Sequence, residues 1–252
     1  IAAALLGPFV GRPRIVWSIR AAGMEMYHYD WISTLLPKLE TALARLADVV
    51  VANSQAGKDW ATLRGFPENK IVVIENGIDA NRFRFDAAGR KRVRAEWQVG
   101  DGEMVIGLVA RLDVMKDHRN FLEACAMLAE QREGLRFVCV GGGAPAYRAE
   151  LDAFAATLRI TNRLIWAGPR LDMPAVLSAL DIASSSSAFE GFSNAIAESM
   201  ACERPCVVTD VGDSALIVGK VGEVAPPRNP EALADALAMM VSRIDEDREI
   251  GR

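Results

Sequence analysis

Two glutamates with seven residues between them, Glu190 and Glu198, stand out as candidate ligand-binding residues. The intervening segment GFSNAIA contains a glycine turn and predicts a helix that begins near Asn194. A helix start binds anions because its first N–H groups lack partners and carry the positive end of the helix dipole. The flanking carboxylates can accept hydrogen bonds from hydroxyls. This combination suits a phosphorylated ligand with many hydroxyl groups, such as a nucleotide sugar.

Glu198 lies between two small apolar runs, residues 195–197 and 200–202, that predict a buried stretch. A carboxylate placed there needs a partner or a ligand. The alternative is that Glu190 only flanks the helix and that Glu198 is a surface residue. We favour the ligand-binding interpretation because of the apolar surroundings.

Two cations, Arg111 and Lys116, follow the predicted strand at residues 104–110. Lys116 directly precedes Asp117, a candidate N-cap for the next helix. Fixed cations beside a helix start suit a diphosphate, through charge-assisted hydrogen bonds and the helix dipole. Taken alone, this loop is better explained by solvated loop cations paired with Asp113 or Asp117.

The run Gly141, Gly142 and Gly143 follows another predicted strand, at residues 136–140. Glycines in such a position let a ligand approach the backbone closely, and a flexible turn explains them equally well. The run is neither a complete GxGxxG fingerprint nor a phosphate-binding Walker loop, because no Lys-Ser/Thr pair follows.

These loops follow strands in a chain that alternates strands with helices throughout. The predicted strands are 14–19, 48–52, 70–74, 104–110, 136–140, 163–167, 181–185 and 205–209. The predicted helices are 35–46, 55–63 capped by Asn53-Ser54, 87–97, one from Asp117 to Gly134, 147–158, 174–180, one from about 194, and one opening at Asn229-Pro230. This order predicts an α/β fold with parallel sheets covered on both faces. Such sheets bind ligands beyond the carboxyl ends of their strands.

The composition is that of an ordinary globular protein, but it argues against some binding partners. The 252 residues carry a formal net charge of −4 and have a pI near 5.4, so no general attraction to nucleic acid is expected. Four cysteines without a CxxC pair, and two histidines, argue against a structural zinc. Cys125 and Cys139 are predicted to be buried reduced thiols, which fits a reducing cytoplasm. No basic amphipathic helix stands out as a membrane anchor.

Several segments together resemble a known family. The sequences EGFSNAIAE, ARLDVMKDHRNFLEA, VGGG, WAGPRLDMPAVLSALDIASSSSAFEGF and VIENGIDANRF resemble the retaining glycosyltransferases of family 4, which have the GT-B fold. The likeness covers roughly residues 48–240. It implies two Rossmann-like domains: residues 1–76 as the rear part of an acceptor-side domain, and residues 77–252 as the nucleotide-sugar donor domain.

The resemblance implies a role for each matching residue. Arg111 and Lys116 would hold the donor diphosphate and stabilise it as the leaving group. Glu190, with the amides of Gly191, Phe192, Ser193 and Asn194, would bind hydroxyls of the donor sugar, and Glu198 would accept from the ribose. Arg170 and Leu171 would lie against the nucleobase, and Gly141 and Gly142 close to the donor.

The same resemblance implies sugar transfer with retention of configuration, without a metal or a cofactor, from a UDP- or GDP-type donor. The acceptor would be a glycan or a lipid-linked molecule, reached from the cytoplasm at the inner face of a membrane. A first-domain histidine contacts the sugar in many members, but here Arg20 follows the strand and His28 lies far beyond it. Arg20 and Glu25 are instead expected on the acceptor side, and His28 and His118 in surface or capping roles.

Nothing before Arg14 matches the glycine-rich loop that opens the family's first domain. The apolar residues 1–10 are predicted to be the tail of a buried helix, and on the order of 80 to 100 upstream residues are expected to be missing. The chain by itself is therefore predicted to be inactive.

Two other functions are weighed against glycosyl transfer. A dinucleotide-dependent oxidoreductase would need the full GxGxxG and an acidic residue about twenty positions further on, and both are absent. A non-catalytic nucleotide-binding relative would have no reason to keep Arg111, Lys116, Glu190 and Glu198 together.

Overall fold

The computed structural model describes residues 14–20 and 31–247, with the side chains of these residues except those of 31–37. The chain divides into two compact units at Gly77 and Ile78. The first unit also takes in the short segment Phe189–Phe192, and the second consists of Ile78–Ala188 and the chain from Ser193 onward. The division predicted from the sequence lies between residues 76 and 77.

The first unit contains a parallel sheet whose described strands run in the order β1-β2-β3. The strands are β1 (Val16–Ile19), β2 (Val49–Ala52) and β3 (Ile71–Val73), and the helices are α1 (Trp31–Ala44) and α2 (Gln55–Leu63). Ser54 caps α2 as predicted, since its Oγ accepts a hydrogen bond from the Gly57 amide at 2.9 Å. The core of this unit forms where Val50 and Ala52 of the sheet meet Ala44 and Ala61 of the helices.

The second unit is built around a parallel sheet of six strands in the order β6-β5-β4-β7-β8-β9. The strands are β4 (Met104–Val109), β5 (Leu135–Val140), β6 (Leu164–Gly168), β7 (Ile182–Ser185), β8 (Cys206–Thr209) and β9 (Glu223–Ala225). The helices are α3 (Ala87–Glu96), α4 (His118–Gln131), α5 (Pro145–Thr157), α6 (Met173–Ala179), α7 (Asn194–Ala201), α8 (Ser214–Val218) and α9 (Pro230–Glu246). The predicted caps of α4 and α9 are confirmed: Asp117 accepts from the Asn120 amide and Asn229 from the Ala232 amide.

Helices cover both faces of this sheet, as the sequence predicted. Successive residues of β5 point to opposite faces: Phe137 packs in one hydrophobic core and Val138 in the other. The first core includes residues of α4, α5 and α9, and the second includes residues of α3, α6, α7 and α8. All four cysteines are buried free thiols, which confirms the prediction for Cys125 and Cys139.

The structure corrects the sequence reading in two places. Gly134 does not end α4, which stops at Gln131 because Arg132 is already extended; Gly134 instead lies in the turn before β5, where its φ is +71°. The short elements α8 and β9, between β8 and the final helix, were not predicted. The predictions for residues 1–10, Glu25 and His28 lie outside the described residues.

Candidate functional site

The sheet of the second unit reverses its strand order between β4 and β7. The chain proceeds from β4 outward to β5 and β6, then returns to pair β7 on the other side of β4. In open parallel sheets, ligands bind outside the carboxyl ends of the strands at such a reversal. Of the four loops that carry predicted site residues, those after β4 and β7 begin at this position, and those after β5 and β6 follow the neighbouring strands.

Ser186 joins these two loops. Its buried hydroxyl lies 2.9 Å from both the Lys116 and the Asp117 carbonyl oxygens, and the Ala188 amide donates to the Met115 carbonyl at 2.8 Å. Thr209, at the end of β8, donates from its hydroxyl to the Ser187 carbonyl at 2.7 Å. These contacts fix the backbone of the cationic loop relative to β7. The sequence showed this region only as a run of serines.

Arg111 and Lys116 stand at the two ends of the loop after β4. The Arg111 side chain is 78% exposed, with Nη2 3.5 Å from Asp113 Oδ2, so its pairing is loose and solvent-accessible. Lys116 ends a 3₁₀ turn, Val114–Lys116, which Asp113 caps by accepting from the Met115 amide at 3.0 Å. Asp117 then takes a left-handed conformation, with φ of 45°, and opens α4. The loop therefore carries Lys116 just before the start of α4 and Arg111 at its other end.

The helix α7 carries Glu198 and starts without a side-chain cap. Ser193 occupies the N-cap position, yet its buried hydroxyl accepts no hydrogen bond from the first turn. Burial raises the pKa of Glu198 above its usual value, and the positive charge of Arg82 partly opposes that rise. No described residue donates a hydrogen bond to the Glu198 carboxylate. A half-buried carboxylate of this kind is suited to accept from hydroxyls of a ligand.

Gly141 and Gly143 lie so close to the backbone of the segment after β4 that a side chain would not fit at either position. A Cβ on Gly141 would lie 2.0 Å from the Ala110 carbonyl oxygen, and one on Gly143 would lie 2.4 Å from that of Leu112. Gly142 is different, since its Cβ would meet only Pro169, at 3.7 Å. The Leu112 amide donates to the Gly142 carbonyl at 2.9 Å. The glycine run therefore packs against the loop that carries Arg111.

Arg170 is engaged by carboxylates within its own unit. Its Nε and Nη2 donate to Asp172 at 2.9 Å each, and its Nη1 and Nη2 contact Glu96. This pairing raises the pKa of Arg170 and lowers that of Asp172. The neighbouring Leu171 is 95% exposed. The loop after β6 thus offers an apolar side chain on a backbone that an ion-pair network holds in place.

Glu190, Gly191 and Phe192 belong to the segment grouped with the first unit. A Cβ on the buried Gly191 would lie 3.2 Å from the Arg20 carbonyl oxygen, Asn53 Oδ1 and Ser54 Oγ. The absence of a side chain therefore lets the segment approach the end of β1 and the start of α2. Arg20, predicted on the acceptor side, contributes its carbonyl to this contact.

His118 contradicts the expectation of a surface or capping role. The side chain is fully buried in the first turn of α4, where Asp117 is the cap, and neither ring nitrogen has a hydrogen-bond partner. The Tyr147 ring lies edge-on to it at 6.5 Å. Burial, with the nearby positive charge of Lys116, lowers the pKa of His118 to about 4. The sequence missed this burial because a helix start beside charged residues resembles a surface.

Asp181 is a further positioning residue that the motifs did not indicate. It precedes β7, accepts from Arg90 at 2.6 Å and from Arg94 at 2.9 Å, and also receives the Val105 amide at 2.7 Å. These bonds attach α3 and the start of β4 to the start of β7. The loops after β4 and β7 therefore extend from strands whose starts are also held in place.

Across the described residues, no cluster of three or more His, Cys, Asp or Glu side chains is arranged to hold a metal ion. A search of the same residues finds no helix with the length and apolar character needed to cross a bilayer.

Parallel sheets in both units, the reversal of strand order in the second and the cationic loop after β4 fit the GT-B fold of glycosyltransferases, and structurally similar proteins have this fold. The family profile described as "Glycosyl transferases group 1" matches residues 103–243, and that of "Glycosyltransferase Family 4" matches residues 1–82. The chain belongs to this glycosyltransferase family. The resemblance inferred from the sequence motifs is thereby confirmed.

Individual relatives cover the chain to different extents. The 2-deoxystreptamine glucosyltransferase of Streptomyces kanamyceticus is 29% identical over 183 residues, which is 71% of this chain and 47% of that protein. A GDP-mannose-dependent alpha-(1-6)-phosphatidylinositol monomannoside mannosyltransferase of Mycobacterium tuberculosis is 25% identical over 99% of this chain and 67% of its own length. The crystal structure of Anabaena HepE in complex with UDP-glucose superposes with a TM-score of 0.87 at 25% identity, covering 99% of this chain and 67% of that one. The chain spans about half the length of the first curated relatives it matches.

Proposed function

We propose that the second unit binds the nucleotide-sugar donor of a retaining, metal-independent glycosyltransferase. The observation that carries the proposal is the half-buried Glu198 carboxylate, which receives no hydrogen bond from the described residues and lies on a helix whose Ser193 hydroxyl caps nothing. A carboxylate in this state is stabilised by ligand hydroxyls, and a helix start of this kind by a negatively charged or polar ligand group. A nucleotide sugar supplies both.

Arg111 and Lys116 are proposed to stabilise the negative charge that develops in the transition state. Departure of a nucleoside diphosphate leaves negative charge on its bridging oxygen. Cations held in place before the reaction stabilise that charge without reorganisation. The fixed backbone around Lys116, held by Ser186, supplies the preorganisation. Protein cations would then replace a divalent metal at the diphosphate.

Glu190 completes the proposal through the family resemblance, by which it binds hydroxyls of the donor sugar. Leu171 supplies an exposed apolar surface next to the ion pairs of Arg170, suited to contact with a nucleobase. Among the relatives, HepE was crystallised with UDP-glucose and the mycobacterial mannosyltransferase is GDP-mannose-dependent, so a UDP- or GDP-type donor is proposed. The acceptor is proposed to be a glycan or a lipid-linked molecule, with peripheral attachment to the inner face of a membrane.

Calorimetric titration of the full chain with UDP-, GDP- and ADP-sugars tests the donor site. At least one is expected to bind, and Glu198→Ala or Lys116→Ala should weaken that binding at least about tenfold, or about 1.4 kcal/mol. Glu130→Ala and Lys220→Ala, which alter an exposed glutamate and an exposed lysine of the same unit, serve as matched controls and should leave the affinity unchanged. Equal affinity in all four variants would contradict the proposal.

A further inference from the structure

The loop after β6 combines a fully exposed apolar side chain with a closed set of ion pairs. Leu171 is 95% exposed. The preceding Arg170 has only 15% of its side chain exposed, and it donates four hydrogen bonds, two to Asp172 and two to Glu96 at the end of α3. The tip of the loop is therefore apolar, and the charges beside it are paired within the protein.

Both carboxylates beside this loop already accept hydrogen bonds from guanidinium groups. The two Asp172 oxygens accept from Arg170 Nε and Nη2 at 2.9 Å each, and Oδ2 also accepts from Arg92 Nη2 at 2.7 Å. Glu96 accepts from Arg170 through both of its oxygens. Hydrogen bonding to Arg170 lowers the pKa of Asp172 and of Glu96, so both stay ionised and paired. A donor group of a ligand would have to compete with a fixed guanidinium for either of them.

The neighbouring loop after β5 supplies no further carboxylate. Residues 141–144 and 169–172 make up the two loops, and Asp172 is the only acidic residue among them. The loops lie side by side, because the Gly141 amide donates to the Gly168 carbonyl at 2.9 Å. The polar groups that these two loops can offer to a base are therefore mainly those of the backbone.

The backbone at the tip of the loop after β6 has groups available for a base. Among the hydrogen bonds between described residues, none involves the amide or carbonyl group of Arg170 or Leu171. An amide and a carbonyl can satisfy the adjacent O4 and N3–H of uracil. Guanine presents O6 and N1–H in the same relation, but its 2-amino group is a further donor that needs an acceptor. The exposed side chain at this place, Leu171, has none.

We propose, on the basis of the donor site proposed above, that this loop selects uracil over guanine, so that the chain takes a UDP-type rather than a GDP-type donor. A donor group held against the loop without an acceptor should weaken the binding of GDP about tenfold relative to UDP. The ion pairs of Arg170 contribute to this selectivity because they withhold the two carboxylates that could accept from the guanine amino group. Leu171 contributes by offering apolar contact and no acceptor.

Calorimetry of the full chain with UDP, GDP and inosine diphosphate tests the proposal, because inosine diphosphate is GDP without the 2-amino group. UDP should bind about tenfold more tightly than GDP, and inosine diphosphate several-fold more tightly than GDP. Leu171→Asp places an unpaired carboxylate at the exposed position and should reverse the order of the two purine nucleotides. The ratio of these two affinities is independent of any repulsion between the added charge and the diphosphate, which both share.

Two control variants separate the carboxylate from other effects of the change. Leu171→Ala removes the leucine without adding an acceptor, and it should keep the wild-type order of GDP and inosine diphosphate. Met239→Asp adds a carboxylate at an exposed apolar position of α9, and it should leave all three affinities unchanged. Circular dichroism establishes that each variant is folded.

Equal binding of GDP and inosine diphosphate to the wild type, or tighter binding of GDP than of UDP, would overturn the proposal. An unchanged order of the purine nucleotides in folded Leu171→Asp would overturn it as well. If Glu198→Ala weakens UDP and GDP alike but the wild type does not distinguish them, the donor site stands and the selectivity of the loop is wrong. If no nucleotide binds, or Glu198→Ala has no effect, the donor site itself is wrong and the selectivity falls with it.

Discussion

Replacement of Ser186 by alanine tests how the cationic loop is held in place. The change removes a buried hydroxyl whose single proton is shared between the Lys116 and Asp117 carbonyls, each 2.9 Å away, and leaves both carbonyls short of a donor. Leaving a buried acceptor without its donor costs about 1–3 kcal/mol, so the free energy of unfolding should fall by about that amount. Urea unfolding followed by circular dichroism measures the change.

Ser242→Ala is the matched control for Ser186→Ala. Its hydroxyl donates to the Ala238 carbonyl at 3.0 Å on the exposed side of α9, and its loss should change the free energy of unfolding by less than about 0.5 kcal/mol. Hydrogen exchange supplies a local measurement, because the Ala188 amide bonds to the Met115 carbonyl in the same loop contact. Exchange at Ala188 should be faster in the Ser186 variant. A loss of stability no larger than that of the control, with unchanged exchange at Ala188, would refute this account of the loop.

Three further outcomes follow from packing and burial. Gly141→Ala should prevent stable folding of the second unit, since its Cβ would lie 2.0 Å from the Ala110 carbonyl oxygen, whereas Gly142→Ala should melt close to the wild-type temperature in calorimetric scans. His118 has its pKa lowered from 6.5 to about 4, so the unfolded chain binds more protons between these values, and stability should fall by up to about 3 kcal/mol as the pH drops through that window. His118→Phe should lose this part of the pH dependence in urea unfolding at pH 7 and pH 5, and an unchanged slope would contradict the assignment. A thiol reagent should label none of the four buried cysteines in the native protein and all four in urea; rapid native labelling would show that the described packing is wrong.

Most of the fold could be predicted because its signals are local. Apolar runs of four to six residues gave the strands from β1 to β8, and the caps at Ser54, Asp117 and Asn229 fixed where helices begin. A cap acts within three residues of itself, so the sequence alone contains the information. The elements α8 and β9 were missed because five and three residues are too short to establish a period.

The candidate site was only partly predictable, because its supports are distant in sequence. The loop of Arg111 and Lys116 was identified from its charges, but Ser186, which holds it, is 70 positions away from Lys116. The partners of Arg170 include Glu96, 74 positions away. The clash that requires glycine at position 141 involves the Ala110 carbonyl. Contacts of this kind depend on which strands pair, and that pairing is set by the whole sheet.

His118 shows a different limit. Charged neighbours made it resemble a surface residue, while the helix turned its side chain inward toward Tyr147. The direction of a side chain at the first turn depends on how the helix packs on the sheet. The capping pattern, which the sequence does contain, fixes only where the helix begins.

The central claim is that Glu198 accepts hydrogen bonds from the ribose of a bound nucleotide, and a thermodynamic cycle tests it most directly. Calorimetry would compare the wild type with Glu198→Ala, using the nucleoside diphosphate that binds best and its 2′,3′-dideoxy form. Removal of the carboxylate and removal of the hydroxyls should each weaken binding about tenfold, and the two changes together should cost little more than either one alone. If Glu198→Ala weakened the dideoxy compound as much as the ribonucleotide, Glu198 would not contact the ribose and the account of this site would be wrong.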